Sequence, residues 1–436
     1  MDISFLGGAR EVGRSCFLVE GMQNTLLDCG IKLEETEEYP LIEGGEIREL
    51  DRVVVSHAHL DHSGYAPALY AAGYRGPVLV TKPTRDLMQL LLADYLRINE
   101  KFAPYSEQDV TRLLKHAQIL EYNESSGKER GQVRFQEAGH ILGSAITELW
   151  DEKKIVYTGD INTRSSRLLE GAATGLEAEV LIIESTYGSK GDRHVSSREA
   201  GQILVSSIKE SIARGGKVIV PTFAIGRGQE ILFTLESYIR SGGLQNVPVY
   251  LDGMINKALR IYRHNAVYLK REVQRRILTS DDDPFKSQYY FVPKTKDRSD
   301  VLGQEKAIIL ATSGMLNGGP VLTYLERLAG DKKNKMILVG YQAEGTRGRA
   351  LLEGAEEIDL DGKTVGINMK IDQAPFSAHS DYQELLTFVK SVKGLETVFV
   401  VHGEDRKPFE LAQGIEDVLK HKADVVVPEL GETVRV

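Results

Sequence analysis

The chain has 436 residues, of which 42% are hydrophobic and 27% are charged, and its formal net charge is −9 at pH 7. This composition is globular, and the length exceeds what one hydrophobic core usually supports, so we expect two lobes. The two cysteines, Cys16 and Cys29, form no CxxC pair, and no apolar stretch reaches the roughly 20 residues that span a bilayer. These features exclude a disulfide framework, a thiolate metal site and a membrane helix, and with no signal-peptide pattern at the N-terminus they predict a cytoplasmic protein.

The first part of the chain is predicted to form short strands bounded by turn residues. These strands cover residues 2–8, 15–21, 24–30 and 52–56. Helical patterns follow over 84–99 and 106–120, where Ser106 with Asp109 is typical of a capped helix start. Four more strands are predicted over 132–140, 145–151, 154–160 and 180–186.

Helices and strands alternate in the rest of the chain. The predicted helices cover 196–214, 228–241 and 380–392, and the predicted strands cover 217–223, 247–253, 307–313, 336–342 and 397–403. This alternation favours an α/β sheet with parallel members. We find no internal repeat and no long linker in the sequence.

The run Ser56-His57-Ala58-His59-Leu60-Asp61-His62 holds three of only ten histidines in the chain. Alternate side chains of an extended segment share a face, so His57 and His59 can point at one ion. Asp61 and His62 follow where the chain turns into a helix, and they can serve a second ion. Imidazole and carboxylate ligands suit zinc and similar divalent ions, so the cluster predicts a metal centre.

Three further polar residues lie at the ends of predicted strands: His140 in 132–140, Asp160 in 154–160 and His402 in 397–403. Strand ends that meet at one edge of a sheet would bring these side chains to the same place. Taken singly, His140 and Asp160 are better explained as hydrogen-bonded core or loop residues. Taken with the histidine cluster, they extend the predicted metal site.

Charge divides the sequence into two parts. Residues 189–377 carry a net charge of +6, whereas the remainder carries −15. The basic excess is densest between Lys257 and Arg276, where seven basic residues face the single acid Glu272. A polyanionic partner would be attracted first to this stretch.

The motifs of the first half resemble the metallo-β-lactamase superfamily. The resemblance rests on Asp28 in NTLLDCG, the SHAHLDHSG cluster, His140 in AGHILGSA and Asp160 in YTGDIN. The superfamily by itself leaves the substrate open, since it includes β-lactam, thioester and lactone hydrolases as well as nucleases.

The second half narrows this choice. Glu184 in LIIESTYG, His379 in PFSAHSD and His402 in VVHGE are similar to motifs A, B and C of the β-CASP nuclease branch, and most of all to the cleavage and polyadenylation specificity factor type of ribonuclease and its archaeal and bacterial relatives. The resemblance implies an α/β fold. In it, a metallo-β-lactamase αββα sandwich, residues 1–188 and 378–436, is interrupted by a β-CASP α/β lobe, residues 189–377.

The resemblance also implies two Zn²⁺ ions per chain. One would be held by His57, His59, His140 and Asp160, and the other by Asp61, His62, His402 and the shared Asp160. Asp28 would accept a hydrogen bond from a ligand histidine and so orient its ring. Alternatively, Asp28 could be a turn residue or a direct metal ligand. Such an ion pair can share a hydroxide that attacks a phosphodiester.

The resemblance implies a catalytic role for three residues: His379, Glu184 and Asp61. His379 would protonate the departing 3'-oxygen and Glu184 would orient it, leaving a 3'-hydroxyl and a 5'-phosphate. For His379 the alternative is a polar cap of the helix that follows. Histidine at 402, where DNA-directed members commonly have valine, favours RNA over DNA.

The basic insertion would act as a lid over the metal cleft and bind single-stranded RNA through its phosphates. Any single cation could instead belong to a solvated helix face, and the glycine-rich turns around Arg227 and Arg347 could be purely structural. The candidate RNA contacts are Arg227, Arg347, Lys257, Arg260, Arg263 and Ser377.

Two functions of other classes stay open: a non-catalytic RNA-binding subunit of a processing complex, and a small-molecule hydrolase. We expect no KH-type module ahead of Met1, so the RNA site would be selected by the cleft, by a homodimer or by an RNA-processing complex. The sequence does not distinguish endonucleolytic cutting from 5'-to-3' trimming.

Overall fold

The computed structural model describes residues 1–33, 36–127, 131–280 and 282–436. Most strands follow the apolar runs that predicted them. The strands are β1 Asp2–Gly7, β2 Cys16–Glu20, β3 Thr25–Leu27, β4 Lys32–Leu33, β5 Glu37–Glu38, β6 Arg52–Val54, β7 Val78–Val80, β8 Ala117–Ile119, β9 Ser125–Ser126, β10 Gln132–Glu137, β11 Ala145–Trp150, β12 Lys154–Tyr157, β13 Val180–Glu184, β14 Val218–Pro221, β15 Val249–Asp252, β16 Tyr290–Phe291, β17 Ile308–Ala311, β18 Lys335–Val339, β19 Glu357–Leu360, β20 Lys363–Gly366, β21 Lys370–Ala374, β22 Thr397–Val401, β23 Asp424–Val426 and β24 Thr433–Arg435.

Several helices begin after capping residues that can be recognised in the sequence. The helices are α1 Gly44–Glu49, α2 Leu60–Ser63, α3 Ala66–Ala71, α4 Lys82–Asn99, α5 Glu107–His116, α6 Ser197–Ala213, α7 Arg227–Arg240, α8 Ile255–His264, α9 Arg271–Thr279, α10 Ser299–Leu302, α11 Pro320–Leu328, α12 Arg347–Leu352, α13 Tyr382–Ser391 and α14 Lys407–Leu419, with a turn of 3-10 helix over Ala266–Tyr268. Ser106 and Asp109 form the predicted capping box of α5. The helix predicted from residue 380 begins at Tyr382 instead, because Asp381 caps it by accepting the amide hydrogens of residues 383 and 384. Across the described ranges, no helix is both long and apolar enough to cross a membrane.

The chain divides into two compact units. Unit 1 comprises residues 1–165, 169–193 and 379–436, and unit 2 comprises residues 166–168 and 194–378.

Unit 1 is built on two seven-stranded sheets. Their strand orders are β24-β1-β2-β3-β6-β7-β8 and β23-β22-β13-β12-β11-β10-β9. The core between them joins Phe5 and Phe17 of the first sheet to Phe135 and Phe399 of the second, all fully buried. A second apolar cluster packs α13 and α14 against the outer face of the second sheet.

Strand direction decides where the polar residues of unit 1 lie. Strands β12, β13 and β22 are parallel neighbours, and β10 runs in the same direction because two antiparallel pairings separate it from β12. Their carboxyl ends therefore lie at one edge of the sheet, where Asp160, Glu184, His402 and His140 follow or end the strands.

Unit 2 holds a six-stranded sheet of order β16-β15-β17-β14-β18-β21, in which every pairing is parallel. Helix α11 packs on it through buried Tyr324 and Leu325, which belong to the unit's own apolar cluster. The predicted α/β fold, in which the sequence of one α/β unit is interrupted by that of another, is confirmed.

Candidate metal centre

The histidine cluster occupies the turn after β6 and the start of α2, where Asp61 and His62 lie. Backbone hydrogen bonds fix this turn against the loop that follows β3: Cys29 donates to the His62 carbonyl (2.8 Å) and Ile31 donates to the Leu60 carbonyl (2.8 Å). A Cβ atom on Gly30 would lie 1.8 Å from the Asp61 carbonyl oxygen. Glycine at this position therefore permits the close approach of the two loops that holds the cluster in place.

Four ligand atoms converge on one point. His59 Nδ1 lies 3.2 Å from His57 Nε2 and 3.1 Å from His140 Nε2. Asp160 Oδ2 lies 3.6 Å from the Nε2 atoms of His57 and His140. Ligands placed tetrahedrally about zinc at about 2.0–2.1 Å would lie about 3.3 Å apart, so the observed spacing matches such an ion.

A second group of ligand atoms lies on the other side of Asp160. Its Oδ1 atom is 3.4 Å from His62 Nε2 and 3.2 Å from His402 Nδ1. Asp61 Oδ2 completes the group, at 3.6 Å from His402 Nε2 and 3.9 Å from His62 Nε2. Each oxygen of Asp160 thus faces a different set of imidazoles, which is the arrangement of a carboxylate that bridges two cations.

Hydrogen bonding provides an independent test of this second group. Asp160 Oδ1, His62 Nε2 and His402 Nε2 are buried, and within the described part of the chain they have no hydrogen-bond partner. A buried polar atom without a partner costs about 1–3 kcal/mol. One ligand atom each of His62, Asp160 and His402 lies within 4.8 Å of the others, so a divalent cation could supply partners that the protein does not, and the residues present fit a metal ion.

Asp28 is fully buried behind the centre and accepts four hydrogen bonds. Ser56 donates to it through its amide (2.7 Å) and its hydroxyl (2.7 Å), Tyr157 through its phenol (2.6 Å), and His62 through Nδ1 (2.7 Å). Because a carboxylate only accepts, Nδ1 of His62 carries a hydrogen, and its Nε2 is directed at the metal group. Asp28 has a φ of 59°, in the left-handed region where aspartate is enriched.

His402 also has a left-handed backbone, with a φ of 50°. Its amide donates to the Gly8 carbonyl (2.7 Å) and its carbonyl accepts from the Ser185 amide (3.1 Å), so neighbouring loops hold the conformation. Strained residues of this kind concentrate at functional sites. Here the turn directs the His402 ring back over the sheet edge, 3.3 Å from the Thr186 hydroxyl.

Glu184 and His379 form a pair beside the centre. Nδ1 of His379 donates to Glu184 Oε1 (2.9 Å), and this buried carboxylate also accepts the amide hydrogens of Ile161 (2.9 Å) and Thr186 (3.2 Å). The His379 ring lies 4.6 Å from the ring of His140 and its side chain is 17% exposed. The pair therefore lies next to the ligands but keeps access to solvent.

The histidines of the centre differ in the direction in which their surroundings shift the pKa. Burial lowers the pKa of His57 well below its usual range, which keeps this ring neutral and able to bind a cation. Burial also lowers the pKa of His402, but Asp160 and Asp61 outweigh it and raise the pKa to about 10. A bound cation would replace the proton that these carboxylates otherwise hold on the ring. For His379 the carboxylates of Glu184 and Asp160 likewise outweigh burial and raise the pKa.

The candidate RNA contacts lie in unit 2. Arg227 is half-buried at the start of α7, and Ser377 is half-buried after β21. Lys257 and Arg260 are exposed on α8. Arg263 donates to Asp283 (2.5 Å).

Arg347 is the sixth candidate, and its guanidinium hydrogen-bonds to other residues of unit 2. Its donors reach the carbonyl oxygens of Asp359 (2.8 Å) and Leu316 (3.2 Å) and the carboxylate of Asp361 (2.9 Å). Together with the Arg263–Asp283 pair, this shows that two of the predicted contacts serve internal packing.

The sequence did not single out Ser56, Tyr157 or Thr186 as parts of the centre. All three are buried and hydrogen-bond to Asp28 or His402. Ser56 precedes His57, Tyr157 lies three positions before Asp160, and Thr186 lies two positions after Glu184. That proximity in sequence is the only signal that could have revealed them.

Three family models match consecutive parts of the chain. They are the metallo-beta-lactamase superfamily domain over residues 18–186, the Beta-Casp domain over residues 228–351, and the Zn-dependent metallo-hydrolase RNA specificity domain over residues 364–428.

Similar proteins match almost the whole chain. The transcription termination factor FttA of Methanocaldococcus jannaschii is 42% identical over 97% of this chain and 70% of its own length. FttA of Methanococcus maripaludis is 42% identical over 94% of this chain and 68% of its own length. An RNase J-like protein of M. jannaschii is 41% identical over 96% of both chains.

Proposed function

Because the chain belongs to the β-CASP nuclease branch of the metallo-β-lactamase superfamily, we propose that it is a zinc-dependent ribonuclease. The observation that carries the proposal is Asp160, whose two oxygens each face a separate set of imidazoles. Two cations held by these residues would stabilise the charge on the attacking and leaving oxygens of an in-line displacement at phosphorus. The names of the relatives, a transcription termination factor and an RNase J-like protein, favour RNA as the substrate.

Two zinc ions per chain are proposed, one on His57, His59, His140 and Asp160, and one on Asp61, His62, His402 and Asp160. When bound, the ions would supply Lewis acidity at the phosphate and activate the attacking water. The residues do the rest of the positioning: Asp28 holds the Nδ1 hydrogen of His62, and Thr186 contacts the ring of His402. The side chain of Asp61 is 31% exposed, so this ligand is open to solvent.

His379 is proposed as the general acid. Its Nδ1 hydrogen is engaged by Glu184, so Nε2 is the atom that carries the transferable proton. The carboxylates of Glu184 and Asp160 raise the pKa of His379, which favours the protonated ring that a general acid requires. Protonating the 3'-oxygen as its bond to phosphorus breaks leaves a 3'-hydroxyl on one fragment and a 5'-phosphate on the other.

The proposed division is a catalytic domain of residues 1–188 and 378–436 with a β-CASP insertion of residues 189–377. The insertion would contact single-stranded RNA through Arg227, Ser377, Lys257 and Arg260. Arg263 and Arg347 would contribute only by leaving their internal partners. We place the protein in the cytoplasm, acting in RNA processing or decay alone, as a homodimer or within a processing complex.

The test uses zinc-loaded protein and one RNA labelled at either end, with a 5'-monophosphate or a 5'-triphosphate. We expect fragments with 5'-phosphate ends, and the ladder separates internal cutting from 5'-to-3' trimming. His379→Ala should retain zinc and lose most cleavage, whereas His116→Ala, a histidine on α5, should cleave normally.

Two results would reject the proposal. Zinc-loaded protein that binds RNA without cutting it would favour a non-catalytic subunit. Turnover of β-lactam or thioester substrates with no RNA cleavage would favour a small-molecule hydrolase. Equal cleavage by the His379 variant would remove that residue as the acid.

A further inference from the structure

The basic stretch of α8 and α9 divides into two groups of cations. The inward group is neutralised inside unit 2: Arg263 pairs with Asp283 (2.5 Å), and Arg276 pairs with Glu236 (2.8 Å) and Asp282 (3.1 Å). Lys270, between the helices, donates to a backbone carbonyl (2.6 Å). These side chains are held by contacts within the lobe.

The outward group is Lys257 and Arg260 on α8 and Arg271 and Arg275 on α9. All four are exposed, and among the residues that the structure describes none of them forms an ion pair. At 100° per residue, the two cations of each helix lie within about 60° of one another. Each pair is roughly opposite the buried side of its helix, which is centred near Leu259 in α8 and Val273 in α9.

The two helices form one supported element. A single turn of 3-10 helix connects them, and both are fastened to the segment after α9. Arg263 of α8 and Arg276 of α9 reach neighbouring aspartates of that segment, and the ring of Tyr262 meets that of Phe285 edge to face at 6.3 Å. The outward cations therefore stand on a scaffold that internal ion pairs hold in place.

We propose that the outward sides of α8 (Lys257 and Arg260) and α9 (Arg271 and Arg275), here called the α8–α9 face, bind the phosphate backbone of single-stranded RNA. The inference rests on the proposed ribonuclease function for its choice of polyanion. Three of the four residues are arginines, whose planar forks match phosphate oxygens. Four uncompensated cations in a chain of net charge −9 give this face a polarity opposite to that of the whole molecule. Such contacts position the strand without reading its sequence.

The experiment measures how the affinity for a labelled 20-nucleotide RNA depends on salt. Each phosphate contact to a single strand contributes about 0.7 to the slope of log K against log salt. Neutralising all four residues to glutamine should therefore lower the slope by up to about 2.8. Two double variants, Lys257→Gln with Arg260→Gln and Arg271→Gln with Arg275→Gln, should each lower it by about 1.4.

A matched control removes the same charge from elsewhere in unit 2. Lys209, Lys296, Lys332 and Lys333 are exposed and, in the described ranges, form no ion pairs, so their change to glutamine should leave the slope within about 0.7 of wild type. All proteins would carry His379→Ala so that the RNA stays intact during titration. Thermal melts check that each variant is folded.

The outcomes separate this inference from the ribonuclease proposal. A slope loss confined to the α8–α9 variants supports RNA binding by these residues. That conclusion holds whether or not the protein that retains His379 cuts RNA. Equal slope losses in the α8–α9 and control sets, or no loss in either, overturn the face even if cleavage is normal.

Discussion

Replacing Asp28 with asparagine should change which nitrogen of His62 carries a hydrogen. The Ser56 amide can only donate, so the asparagine carbonyl must face it, and the new NH2 group then faces the Nδ1 atom of His62. The hydroxyls of Ser56 and Tyr157 can rotate to accept, but the imidazole must move its hydrogen to Nε2. That hydrogen would occupy the lone pair that the second metal group requires.

The expected loss of zinc affinity is about 10- to 100-fold, as for other residues that orient metal ligands, which is about 1.4–2.7 kcal/mol. Competition against a zinc chelator would measure it, with a metal count per chain before and after dialysis. The other ligand group does not contact Asp28, so one of the two ions should keep its wild-type affinity.

Tyr157→Phe is the matched control, because it removes a hydrogen bond to the same carboxylate oxygen but leaves the His62 contact. Without metal, both variants should lose about 1–3 kcal/mol of unfolding free energy. Only Asp28→Asn should release zinc. Wild-type zinc affinity in Asp28→Asn, or an equal loss in Tyr157→Phe, would refute the tautomer argument.

Three further predictions concern the same unit. His379→Gln should lower the cleavage rate by about 10²- to 10⁴-fold with both zinc ions retained, and zinc loss in that variant would contradict its assignment as an acid. Burial raises the pKa of Glu137 to about 8, so its contribution to stability is complete below about pH 4.5 and is lost as the pH rises through 8. The unfolding free energy of Glu137→Gln should thus exceed that of wild type at pH 9, by up to about 5 kcal/mol, and equal it at pH 4. Glu20→Gln, at an exposed position, should change the unfolding free energy at neither pH. Gly30→Ala should lower the unfolding free energy by about 1–3 kcal/mol or more and weaken zinc binding, because its Cβ would strike the Asp61 carbonyl. An unchanged melting temperature in calorimetry would show that the loops can separate freely.

Strand periodicity was enough to place most of the centre. His140, Asp160 and His402 follow apolar runs, and parallel strands carry such residues to one edge whatever their separation in sequence. The pairing of Glu184 with His379, 195 positions apart, came from family resemblance, because spacing alone does not specify which loops meet.

Other features depend on contacts that periodicity cannot show. The left-handed backbone of Asp28 and its four donors arise from the approach of two loops, which no local pattern encodes. Arg263 and Arg347 carry the charge of RNA contacts, but their direction is set by nearby aspartates, Asp283 and Asp361. Charge count predicts a basic lobe, whereas tertiary packing decides which cations remain available.

The ligands of the centre come from both sheets of unit 1: the His57-to-His62 turn follows β6 of the first sheet, and His140, Asp160 and His402 follow strands of the second. A metal pair seated here would therefore act as a cross-link between the two layers, joining positions that stand 345 residues apart in the chain. Separating the sheets would then require the ions to leave first. Metal release, rather than melting of either sheet, would set how long unit 1 resists a protease.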